Sequence, residues 1–139
     1  IVDYTPEFFE QAAEASGGLE ALGIAYYRTV ADMVCRLKPD VVGHFDLIRR
    51  GFPDERSAFS PPIRRAALEA LEVIRDANAI LDVNTSGFRK GAGSPFPGPE
   101  YFSGDRTNRP KETLLACYRI FHRGQLLCYF PPVIRGGRA

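Results

Sequence analysis

Two polar clusters in this 139-residue sequence combine residue types suited to chemistry on a small anionic ligand. The first is Gly43-His44-Phe45-Asp46-Leu47-Ile48-Arg49-Arg50. A neutral imidazole binds a divalent metal through one ring nitrogen while an acceptor behind it holds the other, and Gly43 leaves room beside His44. The second is Asn84-Thr85-Ser86-Gly87-Phe88-Arg89-Lys90-Gly91. Hydroxyl and backbone donors with a guanidinium fork suit a phosphate, so Ser86, Gly87, Arg89 and Lys90 are candidate contacts. Each cluster has a plainer alternative. His44 could be a strand-end histidine satisfied by a backbone carbonyl, and the basic loop could carry only solvated charges.

These clusters need elements to place them. Thr5-Pro6 opens a short helix to about Ala15, because proline at the first helical position gives up a donor that would be unpaired anyway. After Gly17-Gly18, Leu19, Leu22, Tyr26, Val30, Met33, Val34 and Leu37 fall on one face of a 3.6-residue repeat, the clearest helix in the chain. Lys38-Pro39 ends it, and Asp40 to Phe45 reads as a short buried strand with His44 near its C-terminal end. A polar connection through Gly51, Pro53 and Asp54 leads to Ser60-Pro61-Pro62, which caps a second long helix from Ile63 to about Ala77. Its buried stripe is Ile63, Ala67, Ala70, Leu71 and Ile74. Asn78 suits the left-handed stop, and Ala79 to Asn84 follows as the next strand. Residues 86 to 110 form a loop longer than the usual connection. Pro110 opens a last helix to about His122, Gly124 stops it, and Leu126 to Phe130 reads as a third strand.

Helix and strand alternate in the manner of right-handed parallel units, so the expected fold class is α/β, one partial domain of about three parallel strands. In such folds ligands bind at the strand C-termini, where both clusters fall. Three units do not close a barrel, and a parallel sheet buries both faces. Raw sheet edges and self-association through them are therefore expected. Ile1 stands where an initiator methionine would, and the N-terminus reads as a cut.

Composition narrows the partners. A net charge of +1, with both signs spread along the chain, offers no stripe for nucleic acid or an anionic membrane. No run approaches the ~18 apolar residues of a membrane span, and the start lacks a signal-peptide layout, so a cytoplasmic protein is expected. Cys35, Cys117 and Cys128 show no C-x-x-C spacing and read as buried reduced thiols.

The segment Lys38-Pro39-Asp40-Val41-Val42-Gly43-His44-Phe45-Asp46-Leu47 resembles the D-x-x-G-H-x-D-L stretch of histidinol-phosphatases of the polymerase-and-histidinol-phosphatase (PHP) superfamily. Ile80 to Lys90, followed by Ser94-Pro95-Phe96-Pro97, is similar to the family's N-T-S-G-x-R-K loop and its P-x-P end. The resemblance covers roughly residues 2 to 117. It implies a distorted β/α barrel holding several divalent ions, Zn, Mn or Fe, at the strand ends. There a metal-bound hydroxide attacks the phosphorus of L-histidinol phosphate. Carried onto this chain, it makes His44 a metal ligand and Arg89 a phosphate contact, with Asn84 and Ser86 as further loop contacts. Asp46 would support the loop, and Lys90 and Arg49 would be solvated charges.

The chain also departs from that pattern. The family's H-x-H pair would precede residue 1, and where a later S-D-A-H segment belongs the sequence reads Tyr129-Phe130-Pro131-Pro132-Val133-Ile134-Arg135. No Asp or Glu follows Glu112, and His122 reads as an exposed histidine at a helix end. The tail from about Arg119 keeps the family's length but not its residues, as a frame error, a degraded gene or divergence would leave it. An interior, incomplete and inactive piece of the enzyme is therefore the expectation. A PHP phosphoesterase for another small phosphate ester, or a noncatalytic α/β binding module, are the alternatives.

Overall fold

A computed structural model describes residues 5–84, 95–98, 119–121 and 125–128. Helix α1 runs Pro6–Ser16, opened by the Phe8 N–H donating to Thr5 Oγ1 at 3.4 Å and closed by Gly17 in the left-handed region at φ 88. Helix α2, Leu19–Leu37, stops at Lys38, whose left-handed backbone (φ 46) lets its N–H bond to the Val34 carbonyl. Strand β1 is Val41–Val42, followed by a 3-10 turn at Leu47–Gly51 and the short helix α3, Glu55–Ala58. Helix α4 spans Pro61–Asp76 and β2 spans Ile80–Asn84, with Asn78 at φ 56 making the turn between them. Ser60 sits at the N-cap of α4 without a capping bond from its side chain; its hydroxyl donates to Glu20 at 2.8 Å and ties α4 to the start of α2.

The core lies where α2 and α4 cross and cover one face of the sheet. Tyr27 and Val34 from α2 meet Ile63, Ala67, Ala70 and Ile74 from α4, with Val42 and Leu81 beneath them. The whole stripe read for α4 is buried, and Ala66 joins it. Each large aliphatic side chain buried this way contributes about 1.5–3 kcal/mol. Gly23 lets α2 pack tightly on α4: a Cβ there would sit 2.7 Å from Ile63 Cδ1. The face read for α2 is correct except at its end, where Leu37 is 72% exposed.

Sheet order is β1-β2-β4-β3, with β3 at Arg119–Phe121 and β4 at Gln125–Cys128. Strands β1 and β2 pair in parallel, Val41 with Ile80 and Val42 with Leu81, as expected of units joined by a helix. The expectation of three parallel strands fails at β4, which runs antiparallel to β2 and pairs Leu81 with Cys128 and Asn84 with Gln125. The helix expected to reach His122 also fails over Arg119–Phe121, a strand paired antiparallel with β4. Apolar spacing in this stretch suits either element; adjacent Ile120 and Phe121 favour a strand, and the three residues between the strands are a hairpin's length. A mixed helix-and-strand fold with one parallel pair is what these residues form. The thiol of Cys35 is exposed rather than buried, because it lies beside Val34 on the outward side of α2.

Candidate active site

Strand β1 is shorter than the sequence suggests, and this places His44. The chain leaves the sheet after Val42, and His44 turns into the left-handed region at φ 57 with its side chain exposed. Such a backbone costs a non-glycine residue on the order of 1 kcal/mol and persists only where the surroundings hold it. Here two groups do so. The Tyr26 hydroxyl donates to the His44 carbonyl at 2.7 Å, and the Leu47 N–H donates to it at 3.2 Å. Phe45, fully buried against the Tyr27 ring at 5.2 Å, pins the next residue. Among the described residues the imidazole makes no hydrogen bond.

Asp82 lies on the neighbouring strand. Along β2, Leu81 and Val83 are buried while Asp82 alternates to the opposite side, with Oδ2 3.8 Å from where a Gly43 Cβ would stand. Its Oδ1 is buried without a hydrogen-bond partner among the described residues. Burial raises the Asp82 pKa above the usual carboxylate value, and the nearby His44 charge opposes the shift. Sequence reading passed over this residue; the available signal was a lone acid inside the apolar run Ile80-Leu81-Asp82-Val83, one strand from His44.

The sign of that shift gives a prediction for the metal-free chain. A folded-state pKa above the unfolded one means that the folded state holds the Asp82 proton more tightly. Its contribution is complete below the unfolded pKa and is lost as pH rises through the raised value. Asp82→Asn should therefore raise the melting temperature at pH 7 and lose that advantage near pH 3.5. An equal effect at both pH values in thermal melts would show that ionisation of Asp82 is not the cause.

Beyond His44 the chain builds a buried polar anchor. Asp46, fully buried, accepts the Gly98 N–H at 2.8 Å and lies 3.6 Å from the Arg49 guanidinium. Arg49 is 8% exposed, which corrects its reading as a solvated charge. It donates to the Pro95 carbonyl at 3.2 Å and lies over the rings of Phe96 and Phe59, 4.9 and 5.5 Å from their centroids. The reason is local: the 3-10 turn carries Arg49 back over Asp46, and the aromatic rings cover its stem and face. Asp46 thus holds the Gly98 backbone from the turn after His44. A shallow depression elsewhere, along Arg28, Asp32 and Cys35 of α2, is open to solvent and brings together no comparable set.

Of the loop contacts, Asn84 ends β2, while Ser86, Arg89 and Lys90 lie outside the described residues, as does His122. A catalytic metal takes three protein ligands for even one ion. His44 and Asp82 offer one imidazole and one carboxylate, and no group of three His, Cys, Asp or Glu able to hold a metal occurs among the described residues.

The arrangement is that of an α/β strand-end site, with an exposed imidazole at the end of a parallel pair and a second segment fastened beside it. Two curated relatives say more. A probable histidinol-phosphatase of Schizosaccharomyces pombe is 33% identical over 100 residues, which cover 69% of this chain and 33% of that protein. A histidinol-phosphatase of Bacillus subtilis is 33% identical over 93 residues, covering 64% of this chain and 35% of that one. Over these stretches the chain is similar to histidinol-phosphatases. The chain spans about a third of the length of these relatives. No family model matches the chain, and no solved structure does. No helix among the described residues is long and apolar enough to cross a membrane.

Proposed function

We propose that the chain contributes part of the active site of a PHP-type phosphomonoesterase that hydrolyses L-histidinol phosphate to L-histidinol and phosphate, a cytoplasmic step of histidine biosynthesis. The observation that supports the reading is a contact between the His44 loop and described residues that follow the second cluster in the sequence. The loop bearing His44 holds, through Asp46 and Arg49, the Pro95–Gly98 segment that follows the phosphate-type loop. Ligand sites of parallel α/β units form at this end of the strands, and the relatives' names indicate the same chemistry.

In this reading the reaction is attack of water on phosphorus with departure of the alcohol oxygen. A divalent ion (Zn, Mn or Fe) would neutralise the phosphoryl oxygens when bound. His44 supplies one ligand, with the others coming from outside the described residues. Arg89 would hold the phosphate through two N–H donors, with Ser86 and Asn84 beside it.

A second reading keeps the chemistry and changes the substrate. The residue types named address a phosphate, and none of them addresses an imidazole ring, so another small phosphate ester fits the same loop. Phosphate release from L-histidinol phosphate and from a panel of other monoesters, by the protein its whole gene encodes, separates the two. The first reading expects histidinol phosphate to be the preferred substrate. Preference for another ester would replace the substrate, and no release from any ester with Zn, Mn or Fe supplied would leave a noncatalytic binding module.

A further inference from the structure

We propose that Tyr26 is a positioning residue for His44: its hydroxyl fixes the left-handed turn that carries the imidazole at the end of the parallel strand pair. What the imidazole then binds rests on the phosphate-ester reading; the hold on its backbone does not.

The left-handed residue is not the one that could take that backbone most easily. Gly43 stands directly before His44, yet Gly43 stays outside the left-handed region and His44 enters it at φ 57. Glycine occupies that region freely, and a residue with a Cβ persists there only where its surroundings hold it. Backbone of this kind clusters where a side chain has to be presented in one direction. The question is then which groups hold His44.

Two bonds reach the His44 carbonyl. The Leu47 N–H donates at 3.2 Å, the long end for a bond of its type, whereas the Tyr26 hydroxyl donates at 2.7 Å, the common length for its own. The first closes the turn from within, and the second ties it to α2. Tyr26 belongs to the stripe of α2 that packs on the core, a role that a phenylalanine ring would fill as well. Its hydroxyl is the part that packing leaves unexplained, and the acceptor is the backbone of His44. Tyr27, next along the helix, meets Tyr26 edge-on at 5.3 Å and packs on Phe45 at 5.2 Å, so consecutive residues of α2 hold consecutive residues of the turn. From the other side β2 closes on the turn, with Asp82 Oδ2 3.8 Å from where a Gly43 Cβ would stand. Fixing His44 from α2 and β2 before a ligand arrives removes ordering cost from binding and keeps the imidazole in one place.

A double-mutant cycle in the protein its whole gene encodes tests this, with Tyr26→Phe made alone and together with His44→Ala. The first readout is amide exchange, followed by NMR in the metal-free protein. In Tyr26→Phe the Leu47 amide, which bonds to the same carbonyl, should exchange about fivefold faster, the equilibrium equivalent of one neutral hydrogen bond. Ala67 and Ala70 in α4 should change no more than the variant's melting temperature explains. The second readout is zinc affinity and turnover of the preferred ester. Both should fall about tenfold, the low end for a group that orients a metal ligand, and Tyr26→Phe should add nothing once His44 is replaced by alanine. Unchanged Leu47 exchange, or an equal rise at Leu47, Ala67 and Ala70, would overturn the proposal. So would an equal loss of zinc affinity with and without His44, because Tyr26 would then act through the fold and not through the imidazole. Full zinc affinity and turnover in Tyr26→Phe, where His44→Ala loses them, would overturn the positioning role. If Leu47 exchange rises while neither Tyr26→Phe nor His44→Ala alters zinc affinity or turnover, the hold on the backbone stands and the phosphate-ester reading falls.

Discussion

Phe45→Ala is expected to cost about 3–5 kcal/mol of folding free energy, the range for removing a fully buried aromatic ring from a packed core. Phe45 is 0% exposed and lies 5.2 Å from the Tyr27 ring, which is itself 1% exposed and meets Tyr26 edge-on at 5.3 Å. The cavity would open between α2 and the loop carrying His44, where a short 3-10 turn has little freedom to collapse into it. A domain of this size has about 5–15 kcal/mol of stability in total, so the variant should unfold at much lower urea. The loss should reach function before the fold, because Tyr26 holds the His44 carbonyl from the same helix. A shift in urea midpoint equivalent to less than about 1 kcal/mol would mean that the loop can repack, and that the ring is not what orients His44.

The helices were largely legible in the sequence, and for physical reasons. The stripe Ile63, Ala67, Ala70, Leu71 and Ile74 has a single amphipathic period, and Thr5-Pro6, Lys38-Pro39 and Asn78 carry strong start and stop chemistry, so local preference and burial agree. The tail was not legible in this way. Around Arg119–Phe121 the apolar residues suit a helix face as well as a strand, and the partner Gln125–Cys128 that decides between them is a tertiary fact. Likewise nothing local fixes the direction of β4, since parallel and antiparallel strands share one residue pattern when both faces are covered.

The candidate site was legible by residue type and hidden in its couplings. His44 could be picked out as a strand-end imidazole, but its left-handed backbone arises because β1 ends at Val42 and Tyr26 reaches it from α2. Arg49 reads as a solvated charge in the sequence; its burial depends on Asp46 and Phe96, the latter 47 positions away. Asp82 was hidden for the opposite reason. It is a strand residue by pattern, and only the parallel register of β1 and β2 brings it beside Gly43 and His44.

The second large effect concerns catalysis by the protein its whole gene encodes. His44→Ala should lower turnover of the preferred phosphate ester by at least about 10 to 100-fold. Losing only a hydrogen-bond partner of a metal ligand already costs that much, and a lost ligand costs no less. The exposed position of His44 predicts that the fold tolerates the change, so the melting temperature should move little. On the proposed reading, in which Arg89 is a phosphate contact and not a ligand, Arg89→Ala should separate from it by weakening binding of the ester or of its transition state. Identical kinetic defects in the two variants, with KM and kcat changed alike, would mean that the two residues do not have these separate roles.

Metal bound per chain, measured by elemental analysis after dialysis of the whole-gene protein and of its His44→Ala and Arg89→Ala variants, tests most directly whether the chemistry is centred on His44. The account predicts that the His44 variant binds less Zn, Mn or Fe than the unmodified protein while remaining folded, and that the Arg89 variant retains the full amount. Equal metal content and equal turnover in the unmodified and His44→Ala proteins would contradict it, and would make His44 an exposed turn residue with no part in the reaction.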